Sequence, residues 1–120
     1  SWNDLVALGS GSFLALERDG EKGSDRKLRA VVRLASAGAT DVHEQSSLRE
    51  DRGTVPLSRS LAIDLLDPAW GSALAGLPDK IESLALGPDL PDGRRLLLIG
   101  TDNDVRESEA TWILAFALPK

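Results

Sequence analysis

Acidic side chains gather at two points of the chain that a single β-hairpin would bring together. Asp79-Lys80-Ile81-Glu82 leads into one apolar segment, and Thr101-Asp102-Asn103-Asp104 closes another. If the two segments pair antiparallel, four carboxylates, an amide and an ammonium share one rim. A hard cation such as calcium takes about six to eight oxygen ligands from carboxylates, amides and carbonyls. Glu82, Asp102, Asn103 and Asp104 are therefore candidate metal ligands, with Glu17 from an earlier segment a further ligand or a general base. Arg18 and Lys80 lie among these acids. An arginine fork grips phosphate oxygens in pairs and a lysine ammonium meets them as a point charge, so both are candidate substrate contacts. The plainer reading is that the acids are solvated strand ends whose side chains cap turns, and that the two cations neutralise them in surface pairs. The spacing fails the EF-hand template, because Glu107 stands where that loop needs glycine.

The elements that would position this rim are strands. Residues 81–86 alternate apolar with small or polar side chains, and 94–99 are a dense apolar run. Gly87-Pro88-Asp89 and Pro91-Asp92-Gly93 supply turn residues, which predicts a hairpin closed over 87–93. The same unit occurs earlier in the chain. Leu5-Val6-Ala7-Leu8-Gly9 resembles Ser83-Leu84-Ala85-Leu86-Gly87, residues 13–19 resemble 96–102, and residues 27–34 fall in step with 111–118. These matches set the copies 78, 83 and 84 residues apart. A repeated unit of short hairpins predicts an all-β fold, an antiparallel β-propeller fragment of about two blades. Strands are expected near 4–8, 12–18, 27–34, 60–66, 80–86, 94–101 and 111–118. The first blade, about 1–66, would have four strands and a loop insertion at 35–59; the second, about 79–118, would have three. A turn of helix is expected at 72–75. Two blades cannot close a ring, so the missing blades would come from the rest of a parent chain or from self-association.

Composition removes several alternatives. The net charge of −5 and the isoelectric point near 4.8 argue against nucleic acid as a partner. The absence of cysteine excludes disulfides, thiolate nucleophiles and zinc fingers. No apolar run is long enough for a membrane-spanning helix. The chain has no methionine, so Ser1 is expected to be an interior residue or a processed end of a longer protein. Gly9-Ser10-Gly11-Ser12 fits neither a nucleophile elbow nor a dinucleotide loop and reads as a hairpin turn. The 35–59 insertion is rich in polar residues, as functional lids and mobile insertions are, and holds the single histidine, His43, which reads as solvated rather than as a general base.

Three segments together, DLVALGSGSFLALERDG, PDKIESLALGPDLPDGRRLLLIGTDND and TWILAFAL, resemble the phytase-like family described as having esterase-like activity, which consists of secreted bacterial β-propellers. ERDG, KIESLAL and DND carry the likeness most specifically. Ser83 departs from it, since the family usually has glycine after the glutamate. The resemblance covers nearly the whole chain and corresponds to the family's C-terminal portion. It implies a propeller, an extracytoplasmic location and a metal-dependent hydrolase of phosphate or carboxylic esters acting on a small-molecule ester or phosphoester. Calcium is the expected metal. It would lower the pKa of a bound water and polarise the ester oxygen. The alternative is a non-catalytic secreted propeller that binds a ligand or a protein through the same mouth.

Overall fold

The computed structural model describes residues 1–49 and 53–119, so residues 50–52 of the insertion lie outside the described residues. Seven strands form two antiparallel sheets. β1 (Trp2–Gly9), β2 (Ser12–Arg18), β3 (Arg29–Ala35) and β4 (Ser58–Asp64) make the first as a meander in chain order. β5 (Ile81–Asp89), β6 (Arg95–Thr101) and β7 (Ile113–Leu118) make the second in the same way. This is the expected all-β propeller fragment, one four-stranded and one three-stranded blade, and the sheets do not close. Among the described residues the only helical pieces are 3₁₀ turns, at Gly23–Asp25 and Pro68–Leu74. The second contains the predicted 72–75 turn. Asp67 caps it by accepting from the Ala69 N–H at 2.8 Å, and Gly71 kinks it with φ of 53°.

Strand alternation decides what lies between the sheets. Leu14, Leu16, Val31, Ile63 and Leu65 of the first sheet and its flank meet Ile81, Leu84, Leu97, Ile99 and Leu118 of the second in one apolar core. β1 and β5 run side by side where the sheets meet. Trp70 closes one margin, edge-on to Phe116 at 5.3 Å between ring centres, while its indole N–H donates to the Asp64 carbonyl at 2.6 Å. A second cluster, Ala15, Val32 and Leu34, sits on the opposite face of the first sheet. Leu57, from the end of the insertion, and Phe13 pack against it. The insertion is also tied to itself, with Thr40 N–H donating to the Val55 carbonyl and Val55 N–H to the Thr40 hydroxyl, both at 2.9 Å. Through Leu57 the C-terminal end of the insertion packs apolar surface that the polar composition of 35–59 did not announce.

Register corrects the repeat in detail. Gly9 opposite Ser12 in the first hairpin is matched by Asp89 opposite Arg95 in the second, which offsets the first strands by 80 residues and the second strands by 83. Glu17 opposite Ala30 is matched by Gly100 opposite Ile113, so the third strands are also 83 apart. The two-residue slip from 78 leaves every side chain of the first strand on its face. The one-residue slip from 84 moves every side chain of the third strand to the other face, pairing Val31 with Leu114 as core residues. The second hairpin turns at 90–94, not over 87–93: Gly93 N–H donates to the Leu90 carbonyl and Leu90 N–H to the Arg94 carbonyl, both at 2.7 Å. Gly87-Pro88-Asp89 belongs to β5 instead, because β5 is an edge strand where a proline costs no ladder hydrogen bond. Gly87 is needed there, since a Cβ would meet Leu96 Cδ2 at 2.6 Å. Ser83 lies opposite Gly100, whose missing side chain leaves the room that the Ser83 hydroxyl occupies.

Candidate functional site

The open ends of the two sheets lie together, and six hydrogen bonds between them fix the rim. Arg18 Nη2, at the end of β2, donates to Glu82 Oε1 at 2.7 Å, and Asn3 Nδ2 of β1 donates to Glu82 Oε2 at 2.8 Å. Asp4 accepts from the Leu84 N–H at 2.7 Å. Asp79 accepts from the Gly23 N–H at 2.9 Å, Arg26 donates to the Leu77 carbonyl at 2.6 Å, and Arg29 Nε donates to the Asp79 carbonyl at 3.0 Å. The rim is thus as much a seam between blades as an opening.

Each predicted site residue has a definite place. Lys80 pairs with Asp104, and this bond raises the lysine pKa and lowers that of the aspartate; Glu82 adds to the field that raises Lys80. Asp102 Oδ1 accepts from the Asp104 N–H at 3.1 Å, and Asn103 Oδ1 from the Val105 N–H at 3.0 Å. These two side chains build the turn that carries Asp104, which itself has a φ of 52°. The structure therefore brings Arg18, Glu82, Lys80 and Asp104 together as two linked ion pairs. Their side chains are 20–32% exposed, so solvent and ligands reach them. It does not bring Glu17 to them. Neighbouring residues of a strand point to opposite faces, so Glu17 lies on the face of the second apolar cluster while Arg18 faces the rim. There Arg59 Nη2 donates to Glu17 Oε2 at 2.5 Å and the Trp2 indole N–H to Oε1 at 2.7 Å. The Arg59 hydrogen bond holds the Glu17 pKa below the usual carboxylate range, the opposite of what a general base near neutrality needs. His43 is exposed on the insertion, 3.0 Å from Asp41 and 2.8 Å from Glu44.

The residues expected to ligate a metal are engaged otherwise. Both Glu82 oxygens, one of Asp104 and one each of Asp102 and Asn103 accept protein donors. Among the described residues no three His, Cys, Asp or Glu side chains converge as a metal shell. In this arrangement Arg18 and Lys80 hold Glu82 and Asp104 as ion pairs.

The most important residue of the rim is one the sequence did not single out. Arg29 is fully buried, and each of its three guanidinium nitrogens is hydrogen-bonded. Besides Asp79, it donates to Asp19 Oδ1 at 2.5 Å, to the Leu28 carbonyl at 2.7 Å and to the Glu21 carbonyl at 2.6 Å. Asp19 in turn accepts from the Lys27 and Leu28 N–H groups at 2.8 and 2.7 Å. Arg29 holds the Asp19 carboxyl far below its usual range. The available signal was its parity: Arg29 shares a strand face with Val31, a core residue, and a cation on a core face needs an acid nearby.

The model of the phytase-like family described as esterase-like activity of phytase matches residues 1–105. The chain belongs to this family. Comparison with curated proteins and with solved structures gives no match. The match spans β1 to β6 and the Asp102–Asp104 turn, so within this phytase-like chain both rim ion pairs fall inside the family region.

Proposed function

We propose that the chain forms part of an extracytoplasmic hydrolase of phosphate or carboxylic esters, in which the rim binds the anionic end of a small-molecule substrate. The observation that carries this reading is the pairing of two part-exposed cations from different sheets, Arg18 and Lys80, each with one carboxylate that an anion's oxygens can replace. Arg18 Nε is buried and has no hydrogen-bond partner, so this guanidinium keeps a donor in reserve. An incoming phosphate takes the Arg18 fork bidentately and the Lys80 ammonium as a point charge. Glu82 and Asp104 then act as place-holders that keep both cations oriented when no substrate is bound. Charge on the transferring or leaving oxygens grows in the transition state, and fixed cations stabilise it there more than in the ground state. Calcium at this rim would have Glu82 and Asp104 as ligands once Arg18 and Lys80 had released them, and would polarise the ester oxygen.

A non-catalytic binding module is the second reading, favoured by one observation. Every rim acid with a resolved shift has its pKa lowered by a cation, which suits ion pairing and not proton transfer at neutral pH. Steady-state kinetics on an aryl phosphate and an aryl acetate separate the two. The expected result is turnover of at least one ester, with Arg18→Ala and Lys80→Ala each lowering kcat/KM by about tenfold or more for the phosphate. Binding of the aryl phosphate without turnover would favour the module.

A further inference from the structure

Two arginines flank a groove at the opposite end of the sheet pair, where neither the family match nor the rim assigns any function. Arg33 and Arg95 line a groove of about 250 Å³ between the two sheets, together with Leu8, Asp89, Gly93 and Leu118. Arg33 is on β3, four residues beyond Arg29, which places it roughly 13 Å along the strand from the rim. Arg33 lies opposite Leu14 and shares its face, the one that packs against the second sheet. By register its counterpart in the second sheet is Phe116, which packs on the core, so a cation stands at a position that is apolar in the other copy.

Among the described residues this cation has no counter-ion. Arg33 is exposed, and among the described residues it makes no hydrogen bond or ion pair. Arg95 has one acid partner, Asp89, at 3.3 Å, and that carboxylate is 68% exposed. Two guanidiniums against one solvated carboxylate leave a local excess of positive charge in a chain whose net charge is −5. General basicity does not explain it. Leu8 and Leu118 line the groove beside the two guanidiniums. Its volume lies below the roughly 300–1,000 Å³ of sites for drug-sized ligands.

We infer that the groove lined by Arg33 and Arg95 binds a small oxyanion of the phosphate class, a free phosphate or the phosphomonoester group of a larger molecule, independently of the rim. The Arg33 fork supplies paired N–H donors to two oxygens and Arg95 turns from Asp89 to a third. The test is titration of the ¹⁵N-labelled protein with inorganic phosphate at constant ionic strength, reading the backbone amides of Arg33, Gly93 and Arg95. Saturable shifts are expected there, weakened about tenfold or more by Arg33→Ala and unchanged by Arg18→Ala. Arg33 is exposed, so its truncation is expected to leave the fold intact; Arg33→Gln serves the same comparison should the alanine variant lose dispersion. Unchanged affinity in both Arg33 variants, or shifts reproduced by equal ionic strength of chloride, overturns the site. Acetate binding as tightly as phosphate overturns its phosphate class. A methyl phosphate arm distinguishes the sources: binding equal to that of free phosphate assigns the groove to a phosphomonoester group, and loss of binding assigns it to the free ion.

Discussion

Arg29→Met is expected to destabilise the protein by about 3–5 kcal/mol. Methionine fills a similar volume, so the loss is not one of packing. The guanidinium leaves behind a carboxylate and three carbonyls that it alone brings together: Asp19, Asp79, Leu28 and Glu21. Asp19 is part-exposed and keeps its Lys27 and Leu28 donors. The loss therefore comes from the charge-assisted hydrogen bonds, each worth roughly 1.5–3 kcal/mol before water replaces part of them. Because Arg29 reaches from the first sheet to Asp79 at the start of the second, the blade seam opens as well. Thermal melting should show a midpoint lower by on the order of 10–20 °C. Arg29→Lys should recover only part of this, since one ammonium cannot span four acceptors. Arg59→Ala is the contrast, because Arg59 is 47% exposed and its removal touches only Glu17. A melting temperature for Arg29→Met within a few degrees of the Arg59→Ala value would show that the buried guanidinium does not hold the seam.

Stability is expected to fall steeply on acidification below about pH 4. Asp19 is the main cause, with its pKa lowered first by Arg29 and then by the Lys27 backbone N–H. Asp104, lowered by Lys80, and Glu17, lowered by Arg59, act in the same direction. An acid whose folded pKa lies below its unfolded value contributes its full stabilisation above the unfolded value and loses it as pH drops toward the folded one. For Asp19 the loss therefore starts near the ordinary value of 3.8 and continues downward, with none at neutral pH. Melting curves recorded from pH 7 to pH 2 check this. Asp19→Asn should lower stability at pH 7 and flatten the acid limb, because the titrating group is gone. An acid limb of the same slope in Asp19→Asn would assign the transition to other carboxylates.

What was legible in the sequence follows from how each kind of signal arises. All seven strands were predicted because alternation and turn residues act within a few positions, and the repeat gave the two blades. The hairpin turn was misplaced because Gly87-Pro88 is a turn signal only where the ladder needs the missing N–H, and an edge strand does not. The third-strand offset was wrong by one because side-chain resemblance between 27–34 and 111–118 does not see hydrogen-bond register. At the site, the sequence placed Arg18, Lys80, Glu82 and Asp104 on one rim, and the structure brings these four together. It read Glu82 and Asp104 as metal ligands, and in the structure they pair with Arg18 and Lys80. Which of several nearby opposite charges a carboxylate chooses depends on strand parity and on the neighbouring blade, and Asn3 and Asp4 reach Glu82 and Leu84 across about 80 residues of chain. Glu17 went to the other face for the same reason of parity.

The claim that the rim's cations, and not its acids, face the ligand is tested most directly by phosphate binding. The Arg33→Ala protein, which lacks one arginine of the groove lined by Arg33 and Arg95, is to be titrated with inorganic phosphate in the presence of chelator and again with calcium. The expected result is saturable binding in chelator, read at the Arg18 side chain and at the Lys80 ammonium, and weakened about tenfold by adding Arg18→Ala. No phosphate binding in chelator, together with a calcium-dependent rise in melting temperature that Glu82→Gln abolishes, would contradict it and return the rim to its carboxylates.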